Sequence, residues 1–517
     1  MTRSVCLMVL VFAVDAASMA GDPVRPNILL IVADDLGFSD LGCYGGEIQT
    51  PQLDRLASQG MRFTQFYNCG VCNITRAALF TGLHPRFGKG GLLRNDMVTL
   101  AEVLSLAGYA TAMSGKWHLG GAPNRPIDRG FQEYYGVMIG AVNYFDPSLP
   151  DPPGMKHAGP SEPFVHNASP ITSVAANYYA TDAFANHAID QLQQLSRAEK
   201  PFFLHLAFTA PHYPLQALPE DIAKYRGRYV AGYAELRKQR YRRLIELGLI
   251  SKDWKLPDPD PKLSDWRYDL SPKPWNSMTD IAWEAEKMEV YAAMVDRMDQ
   301  AIGRVLTALK DSGVDQNTMV IFFSDNGACA SDSSTAAYRA YQSGVASGSK
   351  ESYILGGPGW AHVQSSPFRR YKTWTYEGGI STPMIVRWPG RIEPNSRTDA
   401  ACHLVDWMPT LLETTGSEYP SQFHSKRIPP PEGISLLPVF QSRQHVQPRE
   451  LGWSLYGSRA YRSGKWKIVW GVSTKRWELY DMESDRTESL DLSNDNPKLV
   501  DQLSAAWQQW ADRSEVH

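Results

Sequence analysis

Two short pairs of oxygen-bearing side chains could together hold a metal ion. Asp34-Asp35 follows one apolar stretch, and Asp325-Asn326 follows another much later in the chain. Both pairs offer only oxygen donors, which favours a hard cation such as Ca²⁺ or Mg²⁺ over Zn²⁺. Either pair alone is more typical of a helix cap or a turn. Their shared position after apolar stretches is what predicts a metal site.

A cysteine and an arginine four residues apart could serve an anionic substrate. Residues 72–82 have the pattern of a short helix, which would place Cys72 at its N-terminus and Arg76 one turn later on the same face. A helix N-terminus and a guanidinium both favour a bound anion. The spacing also fits a buried structural cysteine beside a surface arginine, which is the more common arrangement.

The elements that would position these groups are buried strands. Residues 27–32, 201–208 and 319–323 are continuous apolar runs, each followed directly by polar residues. Such runs are typical of parallel strands that are covered on both faces. Because ligands bind beyond the carboxyl ends of strands in open α/β sheets, the three polar tails should converge on one site. His212 lies in the tail of the second run.

Helical stretches between the strands predict an α/β fold. The clearest runs from about residue 280 to residue 309, with a stop at Gly313. A Pro-rich segment at 427–433 is interpreted as a linker or a surface excursion. Beyond it, residues 460–470 and 477–480 have the pattern of short strands, and a final helix should begin at Asn496-Pro497. We expect a catalytic domain at 21–440 and a small β-rich C-terminal domain at 441–517.

Bulk composition excludes several classes of protein. The chain has 517 residues, with 43% hydrophobic and 21% charged residues, as in ordinary globular proteins. A formal net charge of -3 and no long basic block argue against nucleic acid as a partner. An anionic substrate would therefore need a local basic cluster.

The N-terminus has the pattern of a signal peptide over residues 1–20. Arg3 precedes an apolar run at 5–14, and small residues follow at Ser18 and Ala20. The run is too short to span a bilayer, so stable membrane insertion is not expected. We expect an exported protein, periplasmic or secreted. Loss of the leader would remove Cys6, and the five remaining cysteines are too few for a disulfide framework.

Taken together, the motifs resemble those of the formylglycine-dependent sulfatases of the alkaline phosphatase superfamily. The family signature is Cys-x-Pro-x-Arg, followed a few residues later by Thr-Gly. The resemblance spans nearly the whole mature chain, in the expected order. The matching motifs are Cys72-Asn73-Ile74-Thr75-Arg76 with Thr81-Gly82, Asp34-Asp35-Leu36-Gly37, Ser114-Gly115-Lys116-Trp117-His118-Leu119-Gly120, Ala210-Pro211-His212, Ser324-Asp325-Asn326-Gly327, and Lys372 with Tyr376-Glu377-Gly378-Gly379.

This resemblance implies that Cys72 is oxidised to formylglycine by a formylglycine-generating enzyme. One hydroxyl of the hydrated aldehyde would attack sulfur, and loss of a proton from the other would release sulfate. Ca²⁺, or alternatively Mg²⁺, would be held by the modified Cys72 and by both pairs of oxygen donors. The metal ligands so implied are Asp34, Asp35, Cys72, Asp325 and Asn326.

The resemblance also assigns roles to basic residues. Arg76, Lys116 and Lys372 would neutralise the sulfate oxygens and form the required basic cluster. His118 would be the base that releases sulfate, and His212 would protonate the leaving alcohol. Apart from the resemblance, single Lys and His residues are usually surface residues. His205, inside an apolar run, is interpreted as a core histidine.

Three departures from the family pattern bear on function. Ile74 replaces the signature proline, which affects recognition by the maturation enzyme. Asn143 stands near a position where the family often has a sulfate-contacting serine, so it is predicted to bind substrate. Residues 453–459 replace a polar, His-containing segment of relatives and are predicted to line the leaving-group pocket.

We therefore expect an exported sulfuric ester hydrolase that acts on a sulfated carbohydrate or an aryl sulfate. The predicted fold is a large mixed, mostly parallel sheet flanked by helices, with a small C-terminal domain. Two alternatives remain at this point. One is a phosphodiester or phosphonate monoester hydrolase of the same superfamily, and the other is a non-catalytic protein that binds sulfated glycans because Cys72 is never matured.

Overall fold

A computed structural model describes residues 25–85, 92–149, 163–260, 272–332, 343–441, 449–472 and 474–515. The predicted signal peptide at 1–20, with Cys6, lies outside these ranges. The described cysteines, Cys43, Cys69, Cys72, Cys329 and Cys402, are all free thiols. No helix within the described ranges combines the length and the apolar character needed to cross a bilayer.

Within these ranges, the strands form one large sheet, one small sheet and two short pairs. In chain order they are β1 (Asn27–Ala33), β2 (Met61–Phe63), β3 (Phe66–Tyr67), β4 (Ala110–Gly115), β5 (Glu133–Val137), β6 (Phe164–His166), β7 (Ser169–Pro170), β8 (Phe202–Ala207), β9 (Thr318–Ser324), β10 (Met384–Arg387), β11 (Ser396–Thr398), β12 (Cys402–His403), β13 (Gln422–Phe423), β14 (Lys426–Arg427), β15 (Glu450–Leu455), β16 (Ser458–Ser463), β17 (Trp466–Gly471) and β18 (Arg476–Asp481).

The helices flank these sheets. They are α1 (Pro51–Ser58), α2 (Cys72–Thr81), α3 (Leu100–Leu106), α4 (Ala180–Leu195), α5 (Pro219–Ala223), α6 (Gly232–Glu246), α7 (Ile281–Asp311), α8 (Pro358–Gln364), α9 (Glu377–Ile380), α10 (Trp407–Thr415), α11 (Leu437–Phe440) and α12 (Pro497–Arg513). Short 3-10 turns occur at Gly42–Tyr44, Pro126–Asp128, Trp275–Ser277, Asp315–Asn317 and Leu404–Asp406.

The large sheet has the order β11-β2-β10-β9-β1-β8-β4-β5-β6-β7 across the described residues. Its centre, from β9 through β1, β8 and β4 to β5, is parallel, whereas β10, β6 and β7 run antiparallel to their neighbours. All three strands predicted from apolar runs lie in this parallel centre. The predicted α/β class with a large mixed, mostly parallel sheet is therefore confirmed.

Strand β1 explains why these runs are continuously apolar. Leu29 and Ile31 pack into one hydrophobic cluster, and Leu30 and Val32 pack into another on the opposite face. Because successive side chains of a strand point to opposite faces, a strand covered on both faces must be apolar at every position. The first cluster includes α1, α4 and α7, and the second includes α2, α3 and α10.

The long helix α7 confirms the prediction from periodicity. Asp280 caps its N-terminus by accepting a hydrogen bond from the Trp283 backbone at 3.0 Å. Its C-terminal end is followed by Gly313, whose φ of 72° suits glycine and ends the helical path. A buried stripe along α7 packs against α4 and α1 and belongs to the hydrophobic cluster on one face of β1.

The C-terminal part forms the four-stranded antiparallel sheet β15-β16-β17-β18. The strands predicted around 460–470 and 477–480 are confirmed, whereas β15 was not predicted. One face packs against α12 through Trp507 and Trp510. The other face packs on Tyr67 and Trp374 of the larger part. The boundary predicted at 440 and 441 stays a prediction.

Two local expectations need adjustment. Helix α12 begins at Pro497 as predicted, but Asn496 does not cap it, because its side chain donates instead to the Leu492 carbonyl at 3.1 Å.

The Pro-rich segment at 427–433 is hydrogen-bonded to the end of α2. Its Glu432 accepts from the His84 backbone at 2.5 Å and donates from its own backbone to Gly82 at 2.8 Å. These bonds favour a packed surface excursion over a linker.

Candidate active site

The two oxygen-bearing pairs lie side by side at the carboxyl ends of β1 and β9. Ala33 and Ser324, which end the two strands, are register partners. Asp34, Asp35, Asp325 and Asn326 follow them and are at most 1% exposed. Asp35 has a φ of 67°, in the left-handed region that side chains with a Cβ rarely adopt. Backbone strain of this kind concentrates at functional sites.

One oxygen of each carboxylate in this group is held by a cation or an amide. The bonds are Lys116 Nζ to Asp34 Oδ2, Lys372 Nζ to Asp35 Oδ1 at 2.6 Å, Asn326 Nδ2 to Asp35 Oδ1 at 2.6 Å, and Arg76 Nε and Nη2 to Asp325 Oδ2 at 3.0 and 2.7 Å. The predicted basic cluster and the predicted metal ligands therefore occupy one buried site.

Each of the four side chains also has one oxygen without a hydrogen-bond partner among the described residues. These buried atoms are Asp34 Oδ1, Asp35 Oδ2, Asp325 Oδ1 and Asn326 Oδ1. Buried polar atoms are normally paired, and leaving one unpaired costs about 1–3 kcal/mol. Four such oxygens in one place form a donor set that fits a hard divalent cation.

The electrostatics of the carboxylates agree with such a role. Burial raises the pKa of Asp34 above its ordinary value. Burial also raises the pKa of Asp325, to about 7, and the charge of Asp34 adds to this rise. Crowded carboxylates of this kind disfavour their own ionisation, and a divalent cation placed between them reverses that preference.

Cys72 lies at the first position of α2, as predicted. Val71 before it is extended, and the first helical bond runs from Thr75 N to Val71 O at 3.0 Å. The Cys72 Sγ lies 3.3 Å from His118 Nδ1 and is buried. Burial raises the pKa of the thiol, while Lys116 and Lys372 oppose this rise. The thiol is therefore part of the same charged site.

Arg76 ties the start of α2 to the loop after β4. It lies one turn after Cys72 and donates from Nη1 to the Lys116 carbonyl at 2.8 Å. Lys372 comes from a different loop. Burial alone would lower the pKa of Lys372, but Asp35 and the other negative groups around it together raise that pKa well above its ordinary value. The cationic side chains are thus held in place by carboxylates.

The two predicted histidines differ in their surroundings. His118 has a φ of 60°, and burial together with Lys116 and Arg76 holds its pKa well below its usual value, so the ring is neutral. His212 donates from Nδ1 to the Tyr213 carbonyl at 2.7 Å. Its Nε2 lies 3.5 Å from Asp35 Oδ2. A proton on Nε2 therefore requires the imidazolium form.

Asn143 joins its own loop to the loop that contains Lys350 and Tyr353. Its Nδ2 donates to the Lys350 carbonyl at 2.7 Å and to the Tyr353 hydroxyl at 3.0 Å. Its Oδ1 accepts from the backbones of Phe145 and Asp146. A contact with sulfate would have to replace one of these bonds. Sulfate binding by Asn143 stays a prediction, and its bonds indicate a role in loop structure.

His205 and the segment 453–459 both make buried hydrogen bonds to backbone carbonyls. His205 is buried and donates from Nδ1 to the Leu30 carbonyl at 3.2 Å, which confirms a core histidine. Trp453 donates from Nε1 to the Asn68 carbonyl at 2.8 Å. A Cβ on Gly70 would lie 2.9 Å from the Leu455 side chain. The segment therefore packs against the loop before Cys72, and its role in the leaving-group pocket stays a prediction.

A buried ionic group behind the site was not predicted. We call it the Glu377 cluster, and its members are Glu377, Lys467, Arg486 and Glu488. It fastens the chain beyond Lys372 to the C-terminal sheet. The glycine pair after Glu377 was the one feature of the sequence that indicated close packing here. A Cβ on Gly378 would lie 2.1 Å from the Arg370 carbonyl. Its partners, Lys467 in β17 and Arg486 and Glu488 after β18, carry no spacing signal.

Comparison with protein families gives two matches. The family described as Sulfatase matches residues 26–417. A second family, described as N-sulphoglucosamine sulphohydrolase, C-terminal, matches residues 369–510. The first match covers most of the chain, including the oxygen-bearing pairs, Cys72 and both histidines. The second includes the Glu377 cluster and the C-terminal sheet.

Individual relatives agree with these matches. An uncharacterized sulfatase of Schizosaccharomyces pombe is 36% identical over 93% of this chain and 93% of its own length. An arylsulfatase of Klebsiella aerogenes is 34% identical over 84% of this chain and 96% of its own length. The crystal structure of Ps i-CgsB in complex with k-i-k-neocarrahexaose has a TM-score of 0.67 and 26% identity, covering 94% of this chain and 93% of that one. The chain therefore belongs to the sulfatase family of the alkaline phosphatase superfamily, and it is an enzyme that hydrolyses sulfate esters.

Proposed function

We propose that this sulfatase cleaves sulfate monoesters of a sulfated carbohydrate or an aryl sulfate, with formylglycine made from Cys72 as its nucleophile. The observation that carries the proposal is the position of the thiol. It lies at the N-terminus of α2, 3.3 Å from His118 Nδ1, and the charges of Lys116 and Lys372 lower its pKa against the effect of burial. When formed, the hydrated aldehyde supplies one hydroxyl for attack on sulfur and a second whose deprotonation releases sulfate.

The proposed metal is Ca²⁺, and Mg²⁺ suits the same donors. Asp34, Asp35, Asp325 and Asn326 would hold it through their unpaired oxygens, together with the oxygen that replaces the Cys72 thiol. Such an ion supplies a Lewis acid for a sulfate oxygen and lowers the pKa of the attacking hydroxyl. All of these donors are oxygens, as hard cations prefer.

Three cationic side chains would bind the sulfate group and stabilise its developing charge. Arg76 and Lys116 are buried, and Lys372 is nearly so, at 11% side-chain exposure. Each is already oriented by a carboxylate, so little reorganisation is needed when substrate binds. Preorganised charges in a site that excludes water are worth far more than the same charges in water.

The histidines would handle the two proton transfers. Neutral His118 can accept a proton at Nδ1, which faces the Cys72 side chain, and we assign it the deprotonation that releases sulfate. His212 directs Nε2 toward the site, 3.5 Å from Asp35 Oδ2, while its Nδ1 is held by the Tyr213 carbonyl. We assign it the protonation of the leaving alcohol.

Two comparisons bear on the substrate class. The relative from Klebsiella aerogenes is named an arylsulfatase, and Ps i-CgsB was solved with a bound oligosaccharide. Both classes present a sulfate oxygen bonded to carbon, and they differ in how readily the leaving group departs. Rates on matched aryl and sugar sulfates would separate them, and matched phosphodiesters would test the alternative activity of the superfamily.

We further propose that a formylglycine-generating enzyme converts Cys72 before or during folding, and that the protein is exported to the periplasm or the medium. The N-terminal pattern of Arg3 and the apolar run at 5–14 supports export. Ile74 stands where the signature has proline. A β-branched residue also favours extended backbone, so it partly replaces the conformational restriction of proline in the unfolded segment. We expect conversion to be incomplete in a foreign host.

The test combines mass spectrometry of the peptide that contains Cys72 with sulfate release from an aryl sulfate. Activity should track the converted fraction, and Cys72→Ala should lose about 10⁶-fold in kcat, the scale for loss of a nucleophile. Cys69→Ala is the matched control, since Cys69 lies in the same loop and has no arginine four residues later. Hydrolysis by protein from its native source that carries only thiol at Cys72 would refute the mechanism, and thiol with no activity would favour a binding protein.

A further inference from the structure

A second group of potential metal ligands lies at the edge of the large sheet, formed by β5, β6 and α4. Glu133 begins β5, His166 ends β6, and His187 lies on α4. One ligand atom from each of the three lies within 4.8 Å of the other two. None of them belongs to the site that contains Cys72.

The pairing of β5 with β6 explains why two of these residues meet. Tyr135 and His166 are register partners in the antiparallel pair. Glu133 is two residues before Tyr135, so all three side chains point to the same face. The Glu133 Oε1 lies 2.5 Å from His166 Nε2. This proximity is built into the register of the sheet.

The third residue is delivered by the helix above this face. The ring of His187 stacks on the ring of Tyr135, with centroids 5.1 Å apart and an interplanar angle of 27°. Its Nε2 lies 3.6 Å from Glu133 Oε1, which is too long for a hydrogen bond. Both ring nitrogens are buried, and neither has a hydrogen-bond partner among the residues that the structure describes. A buried imidazole of this kind calls for a partner.

The Glu133 carboxylate is also oriented by a hydrogen bond to its second oxygen, on the side away from the histidines. Asn167 donates from Nδ2 to Glu133 Oε2 at 3.0 Å. The Oδ1 of the same side chain accepts from the Tyr134 backbone at 2.8 Å. Asn167 thereby fixes Glu133 so that Oε1 faces the two histidines. Hydrogen bonds that orient a ligand from outside are a regular feature of protein metal sites.

We propose that Glu133, His166 and His187 form a second metal site, which binds a divalent transition-metal ion such as Zn²⁺. Two imidazoles and one carboxylate are a common ligand set for Zn²⁺, and this set leaves one coordination position for water. Ligand atoms of a tetrahedral zinc ion lie about 3.3 Å apart, given metal–ligand distances near 2.0 Å. His166 is about half exposed, at 51% of its side chain, and can adjust to this geometry.

The donors separate this site from the oxygen-only site near Cys72. Nitrogen donors favour Zn²⁺ and related ions, whereas carboxylate and amide oxygens favour Ca²⁺. An ion bound here would tie β5 and β6, near one edge of the large sheet, to α4. The two sites should therefore be loaded and emptied independently of each other.

The test uses the full-length protein, stripped with chelator and then saturated with Ca²⁺. Titration with Zn²⁺ in a calorimeter should show one site that raises the unfolding temperature. His166→Ala and His187→Ala should each weaken zinc binding at least about tenfold and remove the stabilisation, as loss of ligand-shell groups does elsewhere. His166 is partly exposed, so its variant avoids disturbing the core.

His424→Ala is the control, because His424 is an exposed histidine on a different part of the chain. It should bind zinc as the wild type does, and all three variants should keep their sulfatase activity. In crystals soaked with Zn²⁺, an anomalous peak should lie between Glu133, His166 and His187. Equal zinc affinity in the wild type and in the doubly substituted His166→Ala, His187→Ala protein would overturn the proposal, as would a peak elsewhere.

Discussion

Two buried ionic groups of similar size differ in how completely they are paired. In the Glu377 cluster, both oxygens of Glu377 and of Glu488 accept hydrogen bonds, from Lys467, Arg486 and neighbouring groups. In the group at the ends of β1 and β9, each oxygen-bearing side chain keeps one buried oxygen without a partner among the described residues. Both groups are equally remote from solvent.

This contrast separates two uses of buried charge. A fully paired network holds two parts of a chain in one arrangement, although its net contribution to stability can be small. A half-paired network is unfavourable until something binds to it. We therefore expect substitutions in the first group to affect stability and substitutions in the second to affect binding and turnover.

Among substitutions in these two ionic groups, the largest effect should come from Asp325→Asn. The amide keeps an acceptor for Arg76 but removes a charged metal ligand, so turnover should fall by more than about 10³-fold, the upper range for one electrostatic group. Ca²⁺ at a hundred times its Kd should stabilise the wild type by about 2.7 kcal/mol and the variant much less. The calcium-free variant should unfold within about 1 kcal/mol of the wild type, because repulsion from Asp34 is relieved.

Asp315→Asn is the matched control for that experiment. Asp315 pairs with Arg387 in a partly exposed ion pair away from the site. It should leave turnover and calcium-induced stabilisation unchanged. Equal calcium stabilisation in wild type and Asp325→Asn, measured by urea unfolding, would remove Asp325 from the metal site.

His212→Ala should change selectivity among leaving groups without changing stability. The variant should lose about 10² to 10⁴-fold in kcat/KM on alkyl and sugar sulfates, the range for a general acid. Activated aryl sulfates should lose much less, since a good leaving group needs little protonation. A uniform loss across a series of leaving groups would contradict this role for His212.

Lys467→Met should show the opposite behaviour. It removes the cation between Glu377 and Glu488 and leaves both carboxyls buried, which costs about 3–5 kcal/mol of unfolding free energy. Turnover of the folded variant below its unfolding temperature should be near that of the wild type. Lys465→Met, two residues away in an exposed pair with Asp481, should leave stability nearly unchanged, because water screens exposed ion pairs. Equal stability losses in the two variants would contradict a stabilising role for the buried Glu377 cluster.

The smallest effect should be a pH dependence that arises in the Glu377 cluster. Burial raises the pKa of Glu488 from 4.5 to about 7, although Lys467 opposes the rise. Between these two values the folded protein binds more protons than the unfolded chain, so stability falls as pH rises through this window. Lys467 and Arg486 overcome burial at Glu377 and lower its pKa to about 2, so Glu377 does not titrate there.

Glu488→Gln should remove this slope. The amide resembles the protonated carboxyl and does not titrate, so the variant should gain stability relative to the wild type as pH rises from about 5 to about 8. The gain should be at most about 1.4 kcal/mol per pH unit. Urea unfolding in saturating Ca²⁺ measures it, and parallel pH profiles for the two proteins would contradict the assignment to Glu488.

The sequence was informative wherever a physical constraint acts on neighbouring residues. Strands β1, β8 and β9 are covered on both faces, so their apolar runs and polar tails could be recognised. Helix α7 could be recognised from its periodic buried stripe. Strand β15 escaped recognition because Gly452 and Ser454 interrupt its pattern. A Cβ on Gly452 would lie 2.1 Å from the Trp510 ring, so packing against α12 explains the glycine only once the fold is known.

Contacts between distant residues could not be predicted from the sequence alone. The 3.3 Å approach of His118 to Cys72 joins residues from different elements, and it depends on a φ of 60° at His118. The commitment of Asn143 to Lys350 is equally non-local. The group of Glu133, His166 and His187 depends on strand register and on the placement of a helix, neither of which leaves a motif.

The bond from Trp453 to the Asn68 carbonyl also sets a time limit on the proposed modification of Cys72. It joins residues 385 positions apart, so the loop before Cys72 cannot reach its final packing until most of the chain exists. Synthesis at about 5–20 residues per second leaves roughly 20 to 80 s between the emergence of the two partners. An enzyme that modifies Cys72 therefore has an interval of this length on the nascent chain, and slower translation would lengthen it.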